Sequence, residues 1–301
     1  MERMFFVAAC VGLNVMAQAV PPGAAALGYT NCIINDSPTT AEIAPGTNGH
    51  YAWFAGMPVS LPNPSTTNFS TVSNVLALNF TGPVAGASGL HACSTPLDFT
   101  TGALPTLSAS NGFYVEFDAW ISGTNADHWP AVWLMPVEHN VNWWGTIPLG
   151  SPIGDHYDGA TNFERWMEID VFEGGWGPGL LGTVHSWTGY YVPEWTNQDY
   201  TSVWNPNNVD SAPLDLSKKH TFGASYNPVN QSVTWWVDGV EQMSAGPPYV
   251  PAIAPQQHFY LILSAQSFGA NVPYTMYVSG VRAYVPPMGS GPPANFHVIS
   301  P

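Results

Sequence analysis

From Phe113 to Ile121 the chain alternates without a break: Phe113, Val115, Phe117, Ala119 and Ile121 fall on one side, Tyr114, Glu116, Asp118 and Trp120 on the other. A period of two belongs to a strand that buries one face. The same signature recurs in Val75 to Phe80, Ser232 to Asp238, Phe259 to Ala265 and Tyr274 to Val285, and no segment sustains a 3.6-residue period. The 29 Gly and 29 Pro sit at short intervals between these runs, supplying turns and interrupting any long helix. Asp238-Gly239, ahead of a return strand Val240 to Met243, is a hairpin signature. The expected fold class is therefore all-β, a two-sheet antiparallel sandwich. At 301 residues there is ample chain for one large β domain.

Residues 1–19 have the pattern of a secretory signal: an apolar run to Met16, then Ala17-Gln18-Ala19 as a small-x-small cleavage site. Val7-Ala8-Ala9-Cys10 resembles a lipobox and offers lipid anchoring at Cys10 as the minor alternative. The mature chain is expected to comprise one domain over 20–286, with loops and one or two edge strands in 20–60, and a flexible Pro/Gly-rich tail over 287–301. No later segment has 18 unbroken apolar residues, so no membrane span is expected. An exported chain left with Cys32 and Cys93 suggests one disulfide between them, with two free thiols as the alternative. Asn35, Asn68, Asn79 and Asn230 head glycosylation sequons. Lys and Arg total 5 against 20 Asp and Glu, a net charge of −15, which excludes nucleic acid and disfavours sulfated partners.

Against that sparse charge, Glu168-Ile169-Asp170-Val171-Phe172-Glu173 places three carboxylates within six residues. In a strand Glu168 and Asp170 share a face, whereas Glu173 at i+5 belongs to the other face unless a β-bulge near Val171 or Phe172 absorbs one residue. With that bulge, all three acids line one surface. Two carboxylates converging across a sugar-binding cleft are what retaining glycoside hydrolysis requires, and a third between them can hold or share a proton. A calcium site or a solvated acidic edge is the alternative for the motif alone. Upstream, in His128 to Pro136, Trp129, Ala131 and Trp133 share a face, with the two indoles spaced to stack successive sugars. Downstream, Thr183, His185 and Trp187 share a face, bringing a His beside the acids.

Together these stretches resemble glycoside hydrolase family 16. Trp129-Pro130-Ala131-Val132-Trp133-Leu134-Met135-Pro136, the acid hexapeptide and Thr183-Val184-His185 carry the likeness. Phe113 to Ser122, His220-Thr221-Phe222 with Trp235-Trp236-Val237-Asp238-Gly239, Phe259 to Ser264, and Val281 to Tyr284 extend it in order over about 70–286. The resemblance implies a concanavalin-like β-jelly roll with a concave cleft, and a retaining endo-glycosidase acting on β-linked glucan or galactan. It makes Glu168 the nucleophile, Asp170 its assistant and Glu173 the acid/base, in the bulged spacing similar to that of laminarinases. Candidate substrate-binding residues are Trp129, Trp133, His185, Trp187, Trp144, Trp176 and Ser264, with Trp143 and Trp195 as further subsite aromatics.

Three departures bear on the substrate: Ser264 stands where many members have Asn, Trp120 where Arg or Lys is frequent, and Gly174-Gly175-Trp176-Gly177 is an unusual continuation. The only cations of the mature chain are Arg165, Lys218, Lys219 and Arg282, too few for sulfate subsites, so a neutral β-1,3- or β-1,3(4)-glucan is the expected partner of a monomeric, secreted enzyme. Agarase-type galactan hydrolysis, transglycosylation and non-catalytic carbohydrate binding are the alternatives. No cofactor is expected. Family members often carry a structural calcium, but no ligand set of recognisable spacing marks one here.

Overall fold

The structure is a computed structural model, and it describes residues 19–44, 51–56, 66–82, 89–95, 102–138, 163–175, 181–191, 195–204, 214–268 and 272–287. One eight-stranded sheet contains β1 (Asn31–Asp36), β4 (Phe69–Val72), β5 (Val75–Phe80), β8 (Phe113–Ile121), β13 (His220–Asn227), β14 (Ser232–Val237), β15 (Val240–Ala245) and β17 (Tyr274–Val285), in the order β15-β14-β13-β8-β17-β5-β4 with β1 also on β17. A nine-stranded sheet contains β2 (Ile43–Ala44), β3 (Trp53–Ala55), β6 (Gly89–Cys93), β7 (Leu107–Ser108), β9 (His128–Pro136), β10 (Phe163–Glu173), β11 (Leu181–Tyr191), β12 (Trp195–Trp204) and β16 (His258–Ser267). Its order is β12-β11-β10-β9-β16-β6-β3-β2, with β7 on β16.

The alternation in Phe113–Ile121 does what it was expected to do. Its odd-numbered side chains enter the main core between the sheets, where Phe113 packs on Phe259 and, elsewhere, Phe172 stacks on Phe222 across the same gap at 4.2 Å. Its even-numbered side chains face outward. There Arg282 pairs with Glu116 and, through two bonds of 2.9 Å, with Asp118. The hairpin turn at Asp238-Gly239 has φ of 49° and 78°, the left-handed geometry that this dipeptide favours. Residues 20–60 hold more order than expected: besides β1, β2 and β3, a short α1 (Pro22–Ala26) lies on the outer face of the eight-stranded sheet, where Gly23 meets Tyr114 and Trp236 so closely that no Cβ fits.

The expected disulfide is not present. Cys32 is exposed on β1 in one sheet and Cys93 is buried on β6 in the other. Each thiol donates to a nearby carbonyl, Cys32 to Ile34 and Cys93 to Thr95. Packed sheets lie about 10 Å apart, beyond the span of a disulfide between Cα atoms. An even cysteine count said nothing about which sheet each residue joins.

Candidate active site

The acids occupy the C-terminal half of β10. Against β11 the register runs Glu168 to His185, Asp170 to Thr183 and then Glu173 to Leu181, three residues answered by two. Against β9 it runs Asp170 to Trp133, Phe172 to Val132 and Glu173 to Ala131, which puts the extra residue at Val171. This is the bulge that the i+5 spacing required. Met167, Ile169, Val171 and Phe172 all enter the main core, so two successive side chains point inward and Glu173 comes out on the same side as Glu168 and Asp170.

A bulge leaves a backbone group without its ladder partner, and here the remedy comes from the opposite sheet. Trp235 on β14 reaches across the core, and its Nε1 donates to the carbonyl oxygen of Asp170 at 2.8 Å. Gly182 on β11 makes the room, since a Cβ there would run into Trp235 Cδ1. The chain leaves β10 through Gly174-Gly175. Gly174 donates from its amide to Pro130 O at 2.8 Å, and Gly175 has φ of 86° with His128 O and Phe268 where a Cβ would stand. Close passage beside β9 accounts for that glycine pair.

Each glutamate receives an indole N–H. Trp187 Nε1 donates to Glu168 Oε2 at 2.7 Å, and Trp129 Nε1 donates to Glu173 Oε1 at 3.0 Å. Thr183 Oγ1 adds a longer bond to Glu173 Oε2 at 3.4 Å. Between them, Asp170 Oδ2 lies 3.0 Å from His185 Nε2. Asp170 and Glu173 are buried, at 3% and 8% exposed, while Glu168 keeps a more open edge. Burial first, then the Asp170 charge, pushes the Glu168 carboxyl up to about 8, against pulls from His185 and the Trp187 N–H. Burial and the Glu173 charge push Asp170 well above the carboxylate range.

Of the other expected residues, Trp133 is not an open sugar platform. It is 7% exposed within a packed cluster with Phe54, Cys93, Trp166, Tyr260 and Ile262, and its Nε1 donates to Ser264 Oγ at 2.8 Å. Ser264 also bonds His91 Nδ1 at 2.8 Å. Trp129 has one face on Phe268, rings 4.6 Å apart at 10°, and Trp187 stacks on Trp166 at 5.9 Å. Sequence pattern gave the face these indoles share; it gave no sign that their N–H groups serve carboxylates. Trp144 and Trp176, with Trp143 and the Trp195 side chain, lie outside the described residues. The residues missed were Trp235, Phe268, His91 and Gly182. A glycine in the alternating run around Val184 was the available signal for the last. Among the described residues, the group able to offer a metal three His or carboxylate donors is Glu168, Asp170 and His185. No helix among them is long and apolar enough to cross a membrane.

No family model and no curated protein matches the chain. Solved structures do. A mutant of a non-specific endo-β-1,3(4)-glucanase of family GH16, co-crystallised with an oligosaccharide, aligns with TM-score 0.53 over 84% of this chain and 94% of its own, at 17% identity. The fold is that of GH16. The endo-1,3-β-glucanase of Streptomyces sioyaensis shares it at TM-score 0.50, 16% identity, over 85% of this chain and 96% of its own. A structure from work on endo-acting O-glycanases of human gut microbiota aligns at 0.54, 16% identity, over 85% and 99%. A GlcNAcα1-4Gal-releasing endo-β-galactosidase of Clostridium perfringens aligns at 0.53 and 14%, with the chain spanning 63% of its length. The GH16 fold thus accommodates solved enzymes named for glucans and for galactose-containing glycans alike.

Proposed function

We propose that the protein is an exported retaining endo-glycosidase that hydrolyses a neutral β-linked polysaccharide, with β-1,3- or mixed β-1,3(4)-glucan as the favoured substrate. The observation that carries this reading is the Val171 bulge, which turns Glu173 onto the face of Glu168 and Asp170 beside two indole donors. Glu173 protonates the glycosidic oxygen as Glu168 attacks the anomeric carbon, so the sugar–oxygen bond breaks and an ester to Glu168 forms. Glu173, now ionised, takes a proton from water, the water oxygen attacks the same carbon, and Glu168 leaves as carboxylate. Asp170, between the two glutamates on the same face, assists the nucleophile. Trp187 fixes the oxygen that does not attack.

Charge supports a neutral substrate. Arg282 is engaged by Glu116 and Asp118 on the outer face of the other sheet, and Lys218 and Lys219 are exposed ahead of β13. The acids have no described cation beside them to pair with sulfate.

The test is the purified protein incubated with laminarin, lichenan, agarose, carrageenan and gastric mucin, with products read by thin-layer chromatography. New oligosaccharides from laminarin or lichenan, lost in Glu168→Ala, are expected. Products from agarose or mucin alone would move the substrate to a galactoside, longer products would indicate transglycosylation, and binding without products would remove the catalytic reading.

A further inference from the structure

Glu168, Asp170 and His185 form a cluster whose chemistry extends beyond glycoside cleavage. One carboxylate oxygen from each acid and one imidazole nitrogen lie within 4.8 Å of one another. The three residues come from adjacent positions on β10 and β11, with Glu168 directly opposite His185 in the ladder, so backbone hydrogen bonds fix their spacing. A second observation concerns Asp170 alone. Its Oδ2 is buried and accepts no hydrogen bond, since the approach to His185 Nε2, though 3.0 Å long, is not aligned as donor and acceptor. A buried oxygen of this kind has room for a further electrophilic partner.

We propose that these three side chains form a binding site for a borderline divalent cation, Zn2+ in particular, and that its occupancy inhibits the protein by capping Glu168. Zn2+ takes nitrogen and oxygen ligands at about 2.0–2.2 Å, which places tetrahedral ligand atoms roughly 3.4 Å apart. The Asp170–His185 pair is already that close, and the Glu168 carboxylate, less buried than Asp170, closes the remainder by side-chain rotation. Two carboxylates and an imidazole neutralise the ion, and a fourth position stays open to water. Calcium fits poorly, because it requires six to eight oxygen ligands and this set supplies two carboxylates and a nitrogen. The geometry carries the site; only the inhibitory consequence rests on the proposed hydrolase reading.

Isothermal titration of the full chain with ZnCl2 in a non-coordinating buffer at neutral pH is expected to show one site in the micromolar range. CaCl2 at the same concentrations is expected to give no heat. His185→Gln and Glu168→Gln should each weaken Zn2+ binding at least tenfold. X-ray absorption at the zinc edge of the loaded wild-type protein reads the ligands without any variant, and should show a single imidazole with oxygen neighbours. Absence of Zn2+ binding, unchanged affinity in both variants, or a shell with sulfur or two or more imidazoles would overturn the proposal. These readouts need no turnover, so failure to cleave any polysaccharide would count against the hydrolase reading and leave the metal site standing.

Discussion

Replacing Glu168 by Gln should make the protein more stable while abolishing hydrolysis. In the folded chain this carboxyl is pushed up to about 8 from an ordinary 4.5, chiefly by burial and by Asp170. The folded state therefore holds the proton more tightly than the unfolded chain. The group does not oppose folding below pH 4.5, and its contribution turns progressively unfavourable as pH rises toward 8. At pH 7 the interval is 2.5 pH units above the ordinary 4.5, and at about 1.4 kcal/mol per unit the cost is about 3.5 kcal/mol. Glu168 is only partly enclosed, so a realistic range is about 1–3 kcal/mol, equivalent to roughly 2–6 °C in Tm for a chain of this size. Gln keeps the shape and still accepts the Trp187 N–H. Scanning calorimetry of both proteins at pH 5, 7 and 8 should show wild type losing stability across the series and Glu168→Gln losing less, with the gap widest at pH 8. A variant no more stable than wild type at pH 8, with the same slope, would refute the assignment of a strained acid at this position.

Trp187→Phe removes a hydrogen bond that lowers the Glu168 pKa, and Asp170→Asn removes a charge that raises it. The acidic limb of kcat/KM should therefore move to higher pH in the first and lower pH in the second; shifts of the same sign would contradict Glu168 as the nucleophile. Trp129→Phe keeps a ring on Phe268 and loses the bond to Glu173, a contact of roughly 0.5–1.5 kcal/mol to a protonated acid. A fall in kcat of about tenfold with little change in KM is expected from steady-state kinetics on whichever polysaccharide the protein cleaves. Trp235→Phe leaves the Asp170 carbonyl buried without its donor and should cost about 1–3 kcal/mol in urea unfolding, with activity reduced in the folded protein.

Much of this architecture was visible in residue order because strand periodicity is local. Val75–Phe80 and Phe113–Ile121 have the bounds their alternation gave, and Glu173 at i+5 announced a bulge since no regular strand could use it. What stayed hidden was non-local. Trp235 is 65 residues from the carbonyl it serves, and its neighbours in sequence mark only a hairpin. Cys32 and Cys93 looked like a pair because counting ignores sheet membership. Trp129 and Trp133 looked like sugar platforms because their spacing fixes a face and leaves the direction of each N–H undetermined.

The indole of Trp235 anchors the acid-bearing bulge from behind, through the interior between the two sheets. Alignment of the three acids is thus a property of how the two layers are clamped together, set from the core side of the strand. Such an arrangement lets the outer surface be rebuilt for a different sugar while the reacting groups keep their stance, much as a lathe holds its spindle true while the tool is changed.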